Sequence, residues 1–74
     1  MPPYLSVMTE ITAPIGPVLF LDHIADGAMH LSALFIMPKG DAPAPVATDT
    51  GQIAPQPLAE YDRATIWRAR FALP

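Results

Sequence analysis

The stretch from Pro17 to Met37 reads PVLFLDHIADGAMHLSALFIM, and in it two apolar runs flank Asp26 and Gly27. An Asp-Gly pair between apolar runs is the strongest short-range signal for a β-hairpin, because a type I′ turn requires positive φ at both central residues. The sequence therefore predicts two antiparallel strands, Pro17–Ile24 and Ala28–Met37, joined by this turn at the centre of the fold.

The turn also predicts a register. With Asp26 and Gly27 in the loop, His23 lies opposite His30, Asp22 opposite Leu31 and Phe20 opposite Ala33. Side chains alternate between the two faces of a strand, so this register divides the hairpin into two sets. One face carries Val18, Phe20, Asp22, Ile24, Met29, Leu31, Ala33, Phe35 and Met37, and the other carries Leu19, Leu21, His23, His30, Ser32, Leu34 and Ile36.

Both faces are apolar away from the turn, which is typical of strands covered on both sides. Four strands in one sheet would leave the second face open. We therefore expect a partner domain or a second copy to cover it. The predicted interface consists of Leu19, Leu21, Leu34 and Ile36.

Two further strands are predicted on either side of the hairpin. Tyr4–Thr12 alternates apolar and polar residues, which indicates a half-buried strand. Thr65–Leu73 places Trp67 and Phe71 on one face and is also interpreted as a strand. A single helix over 58–71 is the alternative, but it would lack a continuous apolar stripe.

The segment between these strands is rich in proline. Residues 38–57 are interpreted as an extended connection with a small turn at Thr48–Gly51, either exposed to solvent or binding along a partner. Leu58–Ala64 contains good helix formers and is expected to form one or two helical turns.

Composition narrows the class of protein. The chain has 74 residues, 51% of them hydrophobic and 15% charged, with no Cys and a net charge of −3. This length allows one domain, 1–74, and the acidic balance argues against nucleic-acid binding. No apolar run could span a bilayer, and no signal-peptide pattern is present, so the cytoplasm is the default compartment.

Few side chains suggest chemistry. His23 and His30, as cross-strand neighbours, could share a metal ion, but a closed site would need ligands that the sequence does not supply. Arg68 and Arg70 lie two apart on one strand face, where an arginine pair can bind carboxylate or phosphate. In both cases a solvated surface is the simpler interpretation. No cofactor motif is present, and too few reactive groups converge to favour an enzyme.

Three strings carry a resemblance to a known family: GPVLF at 16–20, LSAL at 31–34 and WRARFALP at 67–74. Over about residues 16–74 the chain resembles the N-terminal β-sandwich module of alkaline phosphatase D-like, calcineurin-like metallophosphoesterases. The resemblance implies a non-catalytic accessory module, with the hydrolase in a continuation of the chain. The metal-binding motifs of that family are absent, since the chain has no Asn and Asp22 and His23 are adjacent, so no catalytic residue is carried over.

The sequence thus predicts a mainly β protein, a small antiparallel sheet or half-sandwich of about four strands with a proline-rich loop. The predicted function is a non-catalytic module that packs on a partner domain or on itself. A small metal- or anion-binding domain is the alternative. The expected core comprises Leu5, Val7, Ile11, Val18, Phe20, Ile24, Leu31, Phe35, Trp67 and Phe71.

Overall fold

The computed structural model describes residues 12–74 of the chain, and all of their regular structure is β-strand. The strands in chain order are β1 (Ile15–Ala25), β2 (Ala28–Pro38), β3 (Val46–Thr48), β4 (Gly51–Ile53), β5 (Gln56–Glu60) and β6 (Ala64–Leu73).

Four of these strands form one antiparallel sheet, in the order β1-β2-β6-β5, and β3 and β4 form a separate two-stranded sheet. The predicted mainly β, antiparallel fold is thereby confirmed. Within the described part of the chain, β2 and β6 are central and β1 and β5 are the edges. The predicted strand Tyr4–Thr12 lies outside the described residues except for Thr12, and β5 provides the fourth strand. Among residues 12–74 there is no helix that could cross a membrane.

The central hairpin turns where the sequence predicts. Asp26 and Gly27 have φ values of 53° and 75°, as a type I′ turn requires. The three pairs nearest the turn have the predicted register, including His23 opposite His30. An Asp at the first loop position tolerates positive φ because its short polar side chain can hydrogen-bond locally.

Beyond those pairs the predicted register is wrong, because the ladder is irregular between Leu21 and His23. Leu21, rather than Asp22, lies opposite Leu31, and Phe20 lies opposite Ser32 instead of Ala33. Asp22 is the extra residue of a β-bulge, which shifts Val18–Leu21 by one position relative to β2. Because side chains alternate, this shift exchanges the faces of the first half of β1. A second irregularity between Ile15 and Val18 shifts Ile15 by one position more, so that it lies opposite Ile36.

The corrected register defines two faces of the four-stranded sheet. The arginine face carries Ile15, Val18, Phe20, Asp22, His23, His30, Ser32, Leu34, Ile36, Ile66, Arg68 and Arg70. The tryptophan face carries Leu19, Leu21, Ile24, Met29, Leu31, Ala33, Phe35, Met37, Thr65, Trp67, Ala69, Phe71 and Leu73.

The proline-rich connection contains regular structure, since β3 and β4 both lie within it. The predicted small turn at Thr48–Gly51 is present and joins β3 to β4, with Thr48 Oγ1 donating to the Gly51 carbonyl at 2.8 Å. The predicted helical turns at 58–64 are wrong, because β5 runs through Glu60 and pairs with β6. Pro57 is accommodated there because an edge strand can lack one backbone donor.

The buried apolar residues of the described part lie on the central strands β2 and β6, and apart from Met37 they are alanines. Ala33, Ala64 and Ala69 are each about 1% exposed, and no large side chain among residues 12–74 is buried to that extent. Val18, Phe20 and Ile24 were expected in the core but are exposed, since they lie on an edge strand. The described strands around β1 form a single layer of sheet, so each side chain of β1 has few neighbours to pack against.

Candidate functional site

The two histidines lie together at the turn end of the hairpin. The imidazole rings of His23 and His30 are stacked, with centroids 4.3 Å apart and planes within 4° of parallel. Imidazole lone pairs lie in the ring plane, so two parallel, stacked rings do not direct their nitrogens at one common ion. Among the described residues no group of three potential ligands (His, Cys, Asp or Glu) could hold a metal. The stacked geometry therefore does not favour the metal site that the sequence suggested.

The bulge places Asp22 on the same face as His23 and His30, and these residues together with Ser32 are called the cluster below. The Oδ2 of Asp22 accepts a hydrogen bond of 2.6 Å from the hydroxyl of Ser32. Ser32 is buried and lies two residues from His30, on the same face of β2. The regular hairpin predicts Asp22 on the face opposite His23, and this prediction is wrong because the bulge turns both side chains to one side.

Arg68 and Arg70 lie on the same face as the histidines. In the pairing of β2 with β6, Arg70 is opposite Ser32 and Arg68 is opposite Leu34. His30 is the diagonal neighbour of Arg70, close enough for a long side chain to reach. The structure therefore places the two histidines and the two arginines that the sequence selected on one face, with Arg70 beside His30 and Arg68 further along the sheet, opposite Leu34.

Two shallow, open depressions meet at this cluster, and Asp22 contributes to both. One is lined by Asp22, His30, Leu31, Arg70, Phe71 and Ala72. The other is lined by Phe20, Leu21, Asp22, Ser32, Leu34, Leu58 and Arg68. Both are exposed to solvent, which suits a surface that binds a partner or a small ion more than one that encloses a substrate.

The other half of the arginine face is apolar. A groove there is lined by Ile15, Val18, Phe20, Leu34, Ile36 and Ile66, with almost no polar surface. The face thus has an apolar half at the open end of the hairpin and a polar half near its turn.

The predicted interface residues do not share one face. Leu34 and Ile36 lie on the arginine face, whereas Leu19 and Leu21 lie on the tryptophan face, because the bulge at Asp22 exchanges the faces of β1. Leu19 and Leu21 are among the most exposed large apolar side chains, together with Ile24. The sequence did not identify β1 itself as the exposed element, although its mixture of apolar residues on both faces was visible.

Sequence reasoning also missed Asp22 and Ser32 as a hydrogen-bonded pair. They are ten residues apart, and in the regular register they would lie on opposite faces. No local pattern marks the bulge that brings them together. An Asp in an otherwise apolar strand was the only signal, since a charge there needs a partner or solvent.

A search of family models, of curated proteins and of solved structures finds no match to this chain.

Proposed function

We propose that this chain is a non-catalytic β module that associates with another protein surface through strand β1. The observation that carries the proposal is the exposure of apolar side chains on both faces of this one strand. Leu19 is 60% exposed and Ile24 is 67% exposed on the tryptophan face, while Ile15, Val18 and Phe20 are about half exposed on the arginine face. Contiguous apolar surface of this kind is typical of interaction sites.

The backbone of β1 supports the same proposal. No described strand pairs with the outer edge of β1, so its backbone groups there are available to a further strand. Natural edge strands are commonly protected by lysines, by prolines, by β-bulges or by being short. β1 contains no Lys or Arg, and its proline and its bulge residue, Pro17 and Asp22, lie on either side of the run Val18–Leu21. The edge of this run carries none of these protections and is the part of β1 that favours pairing with another chain.

Among residues 12–74 no strand pairs with the outer edge of β1, and for the isolated chain in solution the proposed cover is a second copy. In a larger assembly, a neighbouring domain would take that place. The resemblance to the accessory module of metallophosphoesterases makes the catalytic domain of such an enzyme one candidate partner, although the proposal does not depend on it.

The first experiment is static light scattering over a concentration series, combined with amide NMR spectra. We expect the mass to rise above 8.0 kDa as the concentration increases, because burying apolar surface of β1 is favourable at about 25 cal/mol per Å². A monomer at every concentration, with well-dispersed amide signals, would overturn the proposal.

A charged substitution on each half of β1 assigns the interface. We expect Leu19→Lys and Ile24→Lys to reduce association by at least about tenfold, because burying a lysine in an apolar contact costs more than about 1.4 kcal/mol. The matched control is Gln52→Lys, which adds the same charge on an exposed position of β4, a strand that contacts β3 and β6. Equal effects of all three substitutions would contradict the assignment to β1.

A further inference from the structure

We propose that Arg68 and Arg70 form an oxyanion-binding site on the arginine face, in addition to the association surface on β1. Both side chains project from the same face of the central strand β6, and residues two apart on a strand are separated by about 6.6 Å. The two arginines line two different depressions, and Asp22 lines both of them. An anion that the two guanidinium groups approach from two sides would therefore lie between these depressions, above β6. Arg68 is half-buried and Arg70 is exposed, so the site is anchored in the sheet and open to solvent.

The arginines have unused hydrogen-bonding capacity. Among residues 12–74 the ion pair present is Lys39 with Glu60, at 3.6 Å, and neither Arg68 nor Arg70 donates a side-chain hydrogen bond. A guanidinium group carries five donors in a rigid fork that matches the oxygens of carboxylate and phosphate. A half-buried guanidinium without a protein acceptor in the described part is therefore suited to an external anion.

The neighbouring groups are compatible with an anion. Asp22 is the one carboxylate of the cluster, and its Oδ2 is engaged by the Ser32 hydroxyl at 2.6 Å. With neutral histidines, the two arginines and Asp22 leave a net charge of +1 on this part of the face, although the whole chain carries −3. His30 lines the same depression as Arg70 and offers a ring nitrogen as a further donor.

The ligand class is therefore a small oxyanion, either a phosphate group or a carboxylate. The depressions beside Arg68 and Arg70 are shallow, so the site fits a single anionic group of a larger partner or a free ion. Arginine pairs recognise both chemistries through the same bidentate geometry, so the two sources must be separated by experiment.

The test is an NMR titration of the full chain, which follows the Nε–H signals of the arginines and the ring signals of His30. One arm uses sodium phosphate and the other sodium acetate, both at constant ionic strength. We expect saturable shifts at Arg68, Arg70 and His30. Saturation with phosphate alone would identify a phosphate site, and saturation with both would identify a general oxyanion site.

Substitution of each arginine tests whether the binding depends on these side chains. We expect Arg68→Gln or Arg70→Gln to weaken binding by about tenfold, the effect of losing one charge-assisted contact. Arg63→Gln is the matched control, because Arg63 is exposed in the bend between β5 and β6 and should leave binding unchanged. Shifts that rise linearly without saturation, or equal losses in all three variants, would overturn the site. Neither result would affect the association of β1, which is measured separately by mass.

Discussion

At the scale of single residues, Gly16 shows how one position limits the close approach of two strands. A Cβ atom built on Gly16 would lie 2.6 Å from the carbonyl oxygen of Leu34, and Gly16 has φ of +114°. Both the contact and the backbone conformation exclude a side chain there. The beginning of β1 can therefore lie against β2 only with glycine at this position.

We predict that Gly16→Ala lowers the free energy of unfolding by about 1–3 kcal/mol, the cost of a strained backbone conformation together with a backbone clash. Urea denaturation would measure it. Gly40→Ala is the matched control, because Gly40 also has positive φ, +93°, but a methyl group added there would meet nothing within 4 Å. Equal losses in the two variants would mean that the contact with Leu34 contributes nothing.

At the scale of elements, the bulge in β1 determines the composition of both faces. It places Asp22 beside Ser32 and assigns Leu19 and Leu21 to the tryptophan face. The turn alone specifies only the pairs adjacent to it. The bulge allows the charged Asp22 to reach a hydroxyl donor, which a regular strand would not permit from the opposite face.

We predict that deletion of Asp22 yields a ladder that is regular from Val18 to the turn, in which Leu21 still pairs with Leu31 and His23 with His30. Asp22→Ala is the comparison variant, because it removes the carboxylate and keeps the extra residue. Both changes should lower the free energy of unfolding by about 1–3 kcal/mol, because the buried Ser32 hydroxyl loses its acceptor. Cross-strand NOEs between Hα atoms would report the register. A pairing of Phe20 with Ala33 in the deletion variant would contradict the prediction.

At the scale of the whole molecule, the described part of the chain is an extended sheet and has little interior. Its Cα radius of gyration is 14.2 Å, whereas a compact chain of this length has about 11 Å. Three alanines and Met37 form its core, and the large apolar side chains of β1 remain exposed. A sheet of this shape gains stability when a second surface covers it, which is the physical reason for the proposed association.

We predict that the two proposed surfaces, β1 and the arginine pair, respond differently to salt. From about 0.05 to about 0.5 M NaCl, self-association through β1 should be unchanged or stronger, because apolar contacts are not screened. Phosphate binding at Arg68 and Arg70 should weaken over the same range. Sedimentation equilibrium and the NMR titration would measure the two effects. A loss of association at high salt would instead indicate that charges hold the copies together.

The hairpin turn, the pairing of His23 with His30, the strand at 65–73 and the alternation that places Arg68 and Arg70 on one face all follow from the sequence without further information. These features depend on local backbone preferences and on the two-residue period of a strand. The bulge at Asp22, the strand β5 in place of helical turns, and the exposure of β1 emerge only in the tertiary structure. Each of these depends on partners distant in the chain: Ser32 for Asp22, the edge of β6 for Gln56–Glu60, and the position of β1 at the edge of the described sheet.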